Sequence, residues 1–437
     1  MEGSKEVRKK IMGLVKKFYE LEHKPKNKWD GGRIAYSSRV YDEREMENLV
    51  DASLDFWLTA GRYHQKFEEG LAKWWGHKFS LFANSGSSAN LIALSAFSSK
   101  LAGKHRLCAG DEVITTASGF PTTVNPIVQN GCTPVFLDTQ VGTYNMDCSM
   151  LEEAISDKTK GVMLAHTLGN PFDLDRITSF CKKHGLFLIE DSCDAIGATW
   201  GGRKVGTFGD FATVSFYPAH HMTTGEGGAL LTSNPVLKKA AESFRDWGRD
   251  CWCPPGKADT CGMRFKWKLG ELPYGYDHKY IYSHVGYNLK ATEMQAAVGL
   301  AQLEKLDSFI EARRKNHEWY MKRLKDYEEF FILPRHEKKA DPSPFGFVLT
   351  VRDDAGFSRN DIVEFLEKNG VSTRMVFGGN IVRQPAYNGV KKRIVGELSG
   401  SDIIMNNTFW IGVYPGLDGR MKEKVAGLFG QFLRERS

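Results

Sequence analysis

No stretch of the 437 residues approaches the ~18 consecutive apolar residues of a membrane helix, which excludes an integral helical membrane protein. The first 23 residues lack the continuous apolar run of an export signal; Ile11, Leu14, Val15 and Phe18 instead follow the i, i+3, i+4, i+7 spacing of a surface helix. A cytoplasmic location is therefore expected, where the eight cysteines stay reduced and any cluster of them points to metal or catalysis before disulfides. Low-complexity tracts, internal repeats and a G-x-G-x-x-G strand–helix fingerprint are all missing, so no dinucleotide site of its own is expected. Blocks of one charge are missing too. The 59 Lys and Arg exceed the 53 Asp and Glu by 6, spread along the chain, which suits small anionic partners better than nucleic acid.

What is present is ordinary in amount, 41% apolar and 26% charged, and long enough for two or three domains with buried cores. Short apolar runs at 79–83, 112–116, 134–138, 161–166, 186–191, 212–216 and 228–232 alternate with helical patterns such as 89–99 and 174–184. This alternation predicts βαβ units and an α/β fold with a mostly parallel seven-stranded sheet. A long helical region follows at 291–328, then a charged, proline-containing linker at 334–344. Strands at 345–351 and 406–413 and helices at 359–368 and 417–434 predict a smaller C-terminal α/β domain. The division expected is 1–330, with an irregular insertion at 250–285, and 331–437.

Ligands of such sheets gather at the carboxyl ends of the strands, so chemistry is sought there. Asn84-Ser85-Gly86-Ser87-Ser88 joins a strand to a helix, and small residues let helix-terminal amides approach a phosphate, although such turns commonly serve only as caps. The run 186–191 ends in Glu190-Asp191; a carboxylate there can hold a protonated pyridine nitrogen, or merely cap the next helix. Phe120 can stack on a flat ring or belong to the core. Ser215-Phe216-Tyr217-Pro218-Ala219-His220-His221 and Gly225-Glu226-Gly227-Gly228 complete the set, with Gly286-Tyr287-Asn288 further on.

Taken in order, these segments resemble the nucleotide-sugar aminotransferase and dehydratase family of fold-type I pyridoxal-phosphate enzymes, from about residue 39 to the C-terminus. The resemblance implies a phosphate-binding turn at Gly86 and Ser87, an aromatic over the ring at Phe120, the ring-nitrogen partner at Asp191 and a second phosphate ligand at Ser215. It assigns Asn288 to the cofactor phosphate of a neighbouring subunit, hence a homodimer. The departures say more. The family's aminotransferases carry Ser-Phe-x-x-x-Lys, and this chain has His220 at that Lys. No lysine occurs between Lys204 and Lys238 to replace it. An imidazole cannot form the imine that tethers the cofactor, but it can remove a proton near neutral pH. His221 is expected to support the turn or to face solvent rather than to act. Asp194 stands where the aminotransferases usually have His, and with Tyr217 it is a candidate for tuning the altered chemistry.

The cysteines divide. Cys108, Cys132, Cys148 and Cys181 are scattered, whereas Cys193, Cys251, Cys253 and Cys261 leave gaps of 57, one and seven residues. A Cys₄ set of this spacing suits an iron–sulfur centre or structural zinc equally, and matches no common ferredoxin or zinc module. Position favours the electron carrier, because Cys193 lies two residues past Asp191, at most ~7 Å away.

Quartet and His-for-Lys change together resemble the family's iron–sulfur 3-dehydrases. This resemblance implies pyridoxamine 5′-phosphate, a [2Fe–2S] cluster, a CDP-4-keto-6-deoxyhexose substrate and an NADH-dependent flavin and iron–sulfur reductase as partner. The competing readings are a redox-neutral dehydratase without a cluster, and a non-catalytic protein on the same scaffold holding structural zinc.

Overall fold

The computed structural model describes residues 3–27 and 29–436; residues 1 and 2 of the expected N-terminal helix lie outside the described residues. All seven predicted strands of the large sheet form: β1 (Phe79–Ala83), β2 (Glu112–Thr116), β3 (Thr133–Leu137), β4 (Thr159–Ala165), β5 (Phe187–Asp191), β6 (Phe211–Ser215) and β7 (Gly228–Thr232). They lie in the order β1-β7-β6-β5-β4-β2-β3, and β7 alone runs antiparallel to its two neighbours. An eighth strand, Arg393–Ile394, comes from beyond the linker and pairs parallel to β3. Two residues make it, too short for a sequence pattern to reveal.

Near-continuous burial along these strands explains their unbroken apolar runs: helices cover both faces, so alternation has nothing to select. Packing is close enough to dictate single residues. Phe187 of β5 stacks on Phe97 with ring centroids 3.9 Å apart. A Cβ added at Gly161 of β4 would lie 2.1 Å from the Phe187 ring, so glycine is the residue that fits.

The helical region expected at 291–328 is two helices, Glu293–Leu303 and Leu306–Leu324. The chain bends between them, where Lys305 turns its ammonium onto Asp42 and Glu45, the latter at 2.6 Å. The second helix leads to an antiparallel sheet ordered Phe331–Ile332, Gly346–Val351, Thr408–Gly412, Thr373–Met375. Phe347, Leu349, Phe409, Ile411, Phe429 and Phe432 form its core against helices Arg359–Lys368 and Gly419–Arg434. Within the expected linker, Ala340–Asp341 pairs with Thr199–Trp200 as part of a three-stranded ribbon. At the N-terminus, helix Ser4–Phe18 is tied down by Arg8 to Asp51 and Asp55. Among the described residues no helix is long and apolar enough to cross a membrane.

Candidate active site

The carboxyl ends of β1, β2, β5 and β6 share one edge of the sheet, and each delivers a residue singled out from the sequence. After β1 the chain enters helix Gly86–Ser98 through Ser85, whose Oγ accepts from Ser88 N at 3.0 Å. Ser85 O takes the Ala89 amide, which leaves the Gly86 and Ser87 amides, unpartnered within a helix's first turn, for an anion. Ser215, at the end of β6, flanks this turn so closely that a Cβ on Gly86 would sit 2.5 Å from Ser215 Cβ.

Strand alternation separates the two carboxylates at the end of β5. Glu190 points away from the site and is spent on structure: it accepts from Gly206, Phe208 and Gly209 amides at 2.6–2.7 Å and from His166 at 3.1 Å. Asp191 faces the site, 5% exposed. Its Oδ2 accepts from Asn90 Nδ2 at 2.8 Å and Thr123 Oγ1 at 2.7 Å; its Oδ1 accepts from Cys193 N at 3.1 Å, and the Cys193 thiol also bonds the carboxylate. Thr213 in turn donates to Asn90 Oδ1 at 2.5 Å. One carboxylate oxygen is thus held by two side chains while the other keeps capacity for a further donor such as a pyridinium N–H.

Beyond β6, His220 N donates to Tyr217 O at 2.9 Å, closing a turn that presents the imidazole. His220 Nδ1 lies 3.5 Å from Asp194 Oδ1, longer than a formed hydrogen bond. The His220 ring leans on Phe345, centroids 5.1 Å apart, and meets Tyr217 edge-on at 6.4 Å. Burial, and then the Arg313 charge, push the His220 imidazole down to about 3. Burial, and then the Asp191 charge, push the Asp194 carboxyl up to about 8. At neutral pH the pair is therefore a neutral imidazole beside a protonated carboxyl, a base with a proton held next to it. His221 is buried and bonds Ser343 through Nε2, at 3.0 Å to the carbonyl and 2.9 Å to the hydroxyl. It supports the turn, as expected.

Phe120 opens helix Pro121–Gln129 after β2, is 49% exposed, and meets Phe377 edge-on at 5.7 Å. Tyr217 is similarly open, at 47%. Asn288 is exposed with its backbone bridged to Asp246, and the next residue ties it to β1, since Leu289 O accepts from Asn84 N at 2.9 Å.

The four cysteines are not gathered into one set. Among the described residues no group of three or more His, Cys, Asp or Glu side chains has the arrangement of a metal site. Cys251 and Cys253 are in contact, with Cys261 near enough to feel their charge. Burial raises the Cys253 thiol, but hydrogen bonds from Thr260, at 3.2 Å, and from Cys251 outweigh it and bring the thiol down to about 7. Cys193 stands apart beside the two aspartates, where burial, and then the Asp191 charge, push its thiol well up. Tetrathiolate ligation by Cys193, Cys251, Cys253 and Cys261 does not fit this arrangement as it stands.

Four contributors were not singled out from the sequence: Asn90, Thr123, Thr213 and Arg313. Asn90 carried a readable signal, a lone amide inside the apolar helix run Ala89 to Phe97. The others carried none, since a threonine on a helix or a strand and an arginine on a helix are commonplace.

A mostly parallel sheet, a small-residue helix terminus beside Ser215 and a buried carboxylate at the end of β5 define a fold-type I aminotransferase-like protein. The chain belongs to the DegT/DnrJ/EryC1/StrS aminotransferase family, which it matches over residues 40–429. It is 50% identical to the lipopolysaccharide biosynthesis protein RfbH of Salmonella typhimurium, over 98% of both chains. It is 48% identical to dTDP-4-dehydro-2,6-dideoxy-D-glucose 3-dehydratase of Saccharopolyspora spinosa, over 98% of this chain and 92% of that one. Among solved structures it is similar to the E. coli GDP-4-keto-6-deoxy-D-mannose-3-dehydratase with bound hydrated PLP. That match has a TM-score of 0.80 and 27% identity, and covers 92% of this chain and 99% of that one.

Proposed function

We propose that the protein is a pyridoxamine-phosphate-dependent 3-dehydratase that removes the C3 hydroxyl of a CDP-4-keto-6-deoxyhexose, on the way to 3,6-dideoxyhexoses of surface polysaccharide. The observation that carries this reading is His220. It occupies the turn after β6 where the aminotransferases place their lysine, largely shielded and neutral beside Asp194. The free Oδ1 capacity of Asp191 and the Gly86–Ser215 approach, which a single methyl group would fill, fit the ring nitrogen and the phosphate of the cofactor. Pyridoxamine phosphate, when bound, supplies an amine that condenses with the C4 ketone and a ring that draws electrons.

The residues divide the remaining work. Asp191, fixed by Asn90 and Thr123, keeps the ring nitrogen protonated. Gly86, Ser87 and Ser215 hold the phosphate, and Phe120 covers the ring. With no lysine to tether the cofactor, these contacts alone retain it. With the cofactor bound, His220 would take the proton at C4′ and return it to the C3 hydroxyl, which would then leave as water, while Asp194 would hold its proton toward the imidazole's far nitrogen. Asn288 serves the phosphate of the neighbouring subunit, in a cytoplasmic homodimer.

The finer reading adds a [2Fe–2S] cluster on Cys193, Cys251, Cys253 and Cys261, reduced by an NADH-dependent flavin and iron–sulfur reductase. Its support is the donor set: four thiols in one chain, two already in contact and one beside the site. A second reading, the redox-neutral dehydratase, is favoured because among the described residues the four thiols do not form a group arranged to hold a metal.

Anaerobic incubation with pyridoxamine phosphate and CDP-4-keto-6-deoxyglucose, with dTDP and GDP sugars as competitors, tests the reaction. Solvent-derived hydrogen or oxygen exchange in the sugar is expected, and His220→Asn should lower it about 10²–10⁴-fold while the cofactor still binds. Normal turnover in His220→Asn refutes the assignment. Equal iron and acid-labile sulfide with dithionite-bleachable colour supports the cluster; iron-free protein whose colour comes from the cofactor alone supports the second reading.

A further inference from the structure

The geometry points to Arg313 as the positioning residue for His220, a guanidinium that clamps the turn carrying the imidazole. The inference rests on His220 acting as the base. Arg313 lies in the helix Leu306–Leu324 and is 2% exposed. Its Nη2 donates to Ala219 O at 3.2 Å and to His220 O at 3.0 Å, and its Nη1 donates to Phe345 O at 3.2 Å. Phe345 is also the ring on which His220 leans, and the guanidinium carbon lies 5.8 Å from that ring's centroid. One cation therefore fixes both the backbone of the base and its support.

Two features of the surroundings bear on what these bonds do for the turn. Behind it lies a small cavity of about 20 Å³, lined by His220, His221, Gln302, Phe309, Arg313 and Arg39. That is room for about one water and not for a side chain. Arg313 Nε and His221 Nδ1 are both buried without a protein partner. Second, among the described residues no carboxylate forms an ion pair with Arg313; its buried charge is answered by three carbonyl dipoles, with the Phe345 ring and the more distant Asp194 carboxyl beside it. Burying a guanidinium this way is costly, and a lysine could not replace its planar fork across three carbonyls.

The charge has a signature of its own. The groups facing His220 are Asp194, Tyr217, His221 and Arg313, with Asp191 acting through Asp194. After burial, the Arg313 charge is what disfavours the imidazolium.

The test uses full-length protein loaded with pyridoxamine phosphate. Arg313→Gln removes the charge and part of the fork; Arg313→Lys keeps the charge and loses the fork. In Arg313→Gln the His220 titration, followed from about pH 2 upward by ¹⁵N-histidine NMR and assigned with His220→Asn, should move up by about one pH unit. In Arg313→Lys it should stay put. Turnover should fall at least about 10-fold in both, with KM changing less than about 3-fold. Arg314→Gln, next on the helix and bonded to Pro342 O and Gly197 O, should alter neither.

Lowered melting temperature with an unmoved titration and unchanged kcat would make Arg313 merely structural and overturn the inference. Should Arg313→Gln fail to fold, unchanged kcat in Arg313→Lys overturns it, and a fall in kcat at constant KM supports it. The titration needs no substrate. If it moves while wild type dehydrates no nucleotide sugar, the clamp stands and the proposed function fails; if wild type dehydrates and both variants match it, the reverse holds.

Discussion

Replacing Gly86 by Ala tests the cofactor cradle through a single methyl group. The new Cβ would lie 2.5 Å from Ser215 Cβ and 3.0 Å from Ser215 Cα. Carbon atoms rest at about 3.5–4.0 Å, so the helix terminus and the end of β6 must separate by about 1 Å. Neither yields easily, because β6 is central in the sheet and the β7 backbone is pressed against the same turn: a Cβ at Gly228 would lie 2.3 Å from Gly86 N. Overpacking of this kind costs about 1–3 kcal/mol. Moving the Gly86 and Ser87 amides off a phosphate loses at least one charge-assisted bond, about 1.5–3 kcal/mol, or roughly 10–100-fold in Kd. Fluorescence titration with pyridoxamine phosphate and denaturant melts read the two quantities separately. In the double variant with Ser215→Gly, the clash with Cβ is gone, and coupling of about 1 kcal/mol or more in melting should appear. Wild-type affinity and stability in Gly86→Ala, or zero coupling in the cycle, would refute the reasoning.

Other outcomes follow from the same geometry. Asp194 holds its proton in the fold up to about pH 8, whereas the unfolded carboxyl loses it near 4. Its contribution is therefore fully present below about pH 4 and lost as pH rises toward 8, so Asp194→Asn should gain on wild type across that window by roughly 2 kcal/mol or more in urea melts; a gap that does not widen with pH refutes the assignment. Cys253, brought down to about 7, should be alkylated by iodoacetamide at pH 7 well before Cys132, Cys148 and Cys181, each raised by burial to about 12, as peptide mass spectrometry would show. Gly161→Ala drives a methyl group into the Phe187 ring and should destabilise by about 1–3 kcal/mol, partly relieved by Phe187→Leu; equal melts with and without the second change would refute the contact.

The large sheet was readable because its strands are buried on both faces and bounded by turn residues, so continuous apolar runs mark them within a residue or two. The pieces that escaped are short or defined by partners. Arg393–Ile394 is a strand only because β3 has a free edge. The bend at Glu304–Lys305 is invisible in a periodicity that continues across it, since what turns the chain is an ion pair to residues some 260 positions away. Helix Ser399–Asn407 has a weak apolar face and runs directly into the strand Thr408–Gly412 that sequence pattern did register.

In the site, legibility followed whether a residue's role is local. Gly86, Asp191, Ser215 and His220 stand at strand ends, and strand ends can be counted along a chain. Asp191 alone, however, does not define a receptor for a ring nitrogen. Asn90 and Thr123 do, by taking one oxygen and leaving the other, and they come from helices 101 and 68 residues upstream. Likewise nothing in Ser215 to His221 announces that the imidazole will be held neutral. That property comes from burial and then from the Arg313 charge, brought to the turn from a different element. The cysteines are the opposite case: their spacing is local and legible, yet two of them touching in an irregular loop while Cys193 lies half-buried beside Asp191 is a fact of three dimensions. Spacing selects the donors a chain could offer; only the fold decides which of them meet.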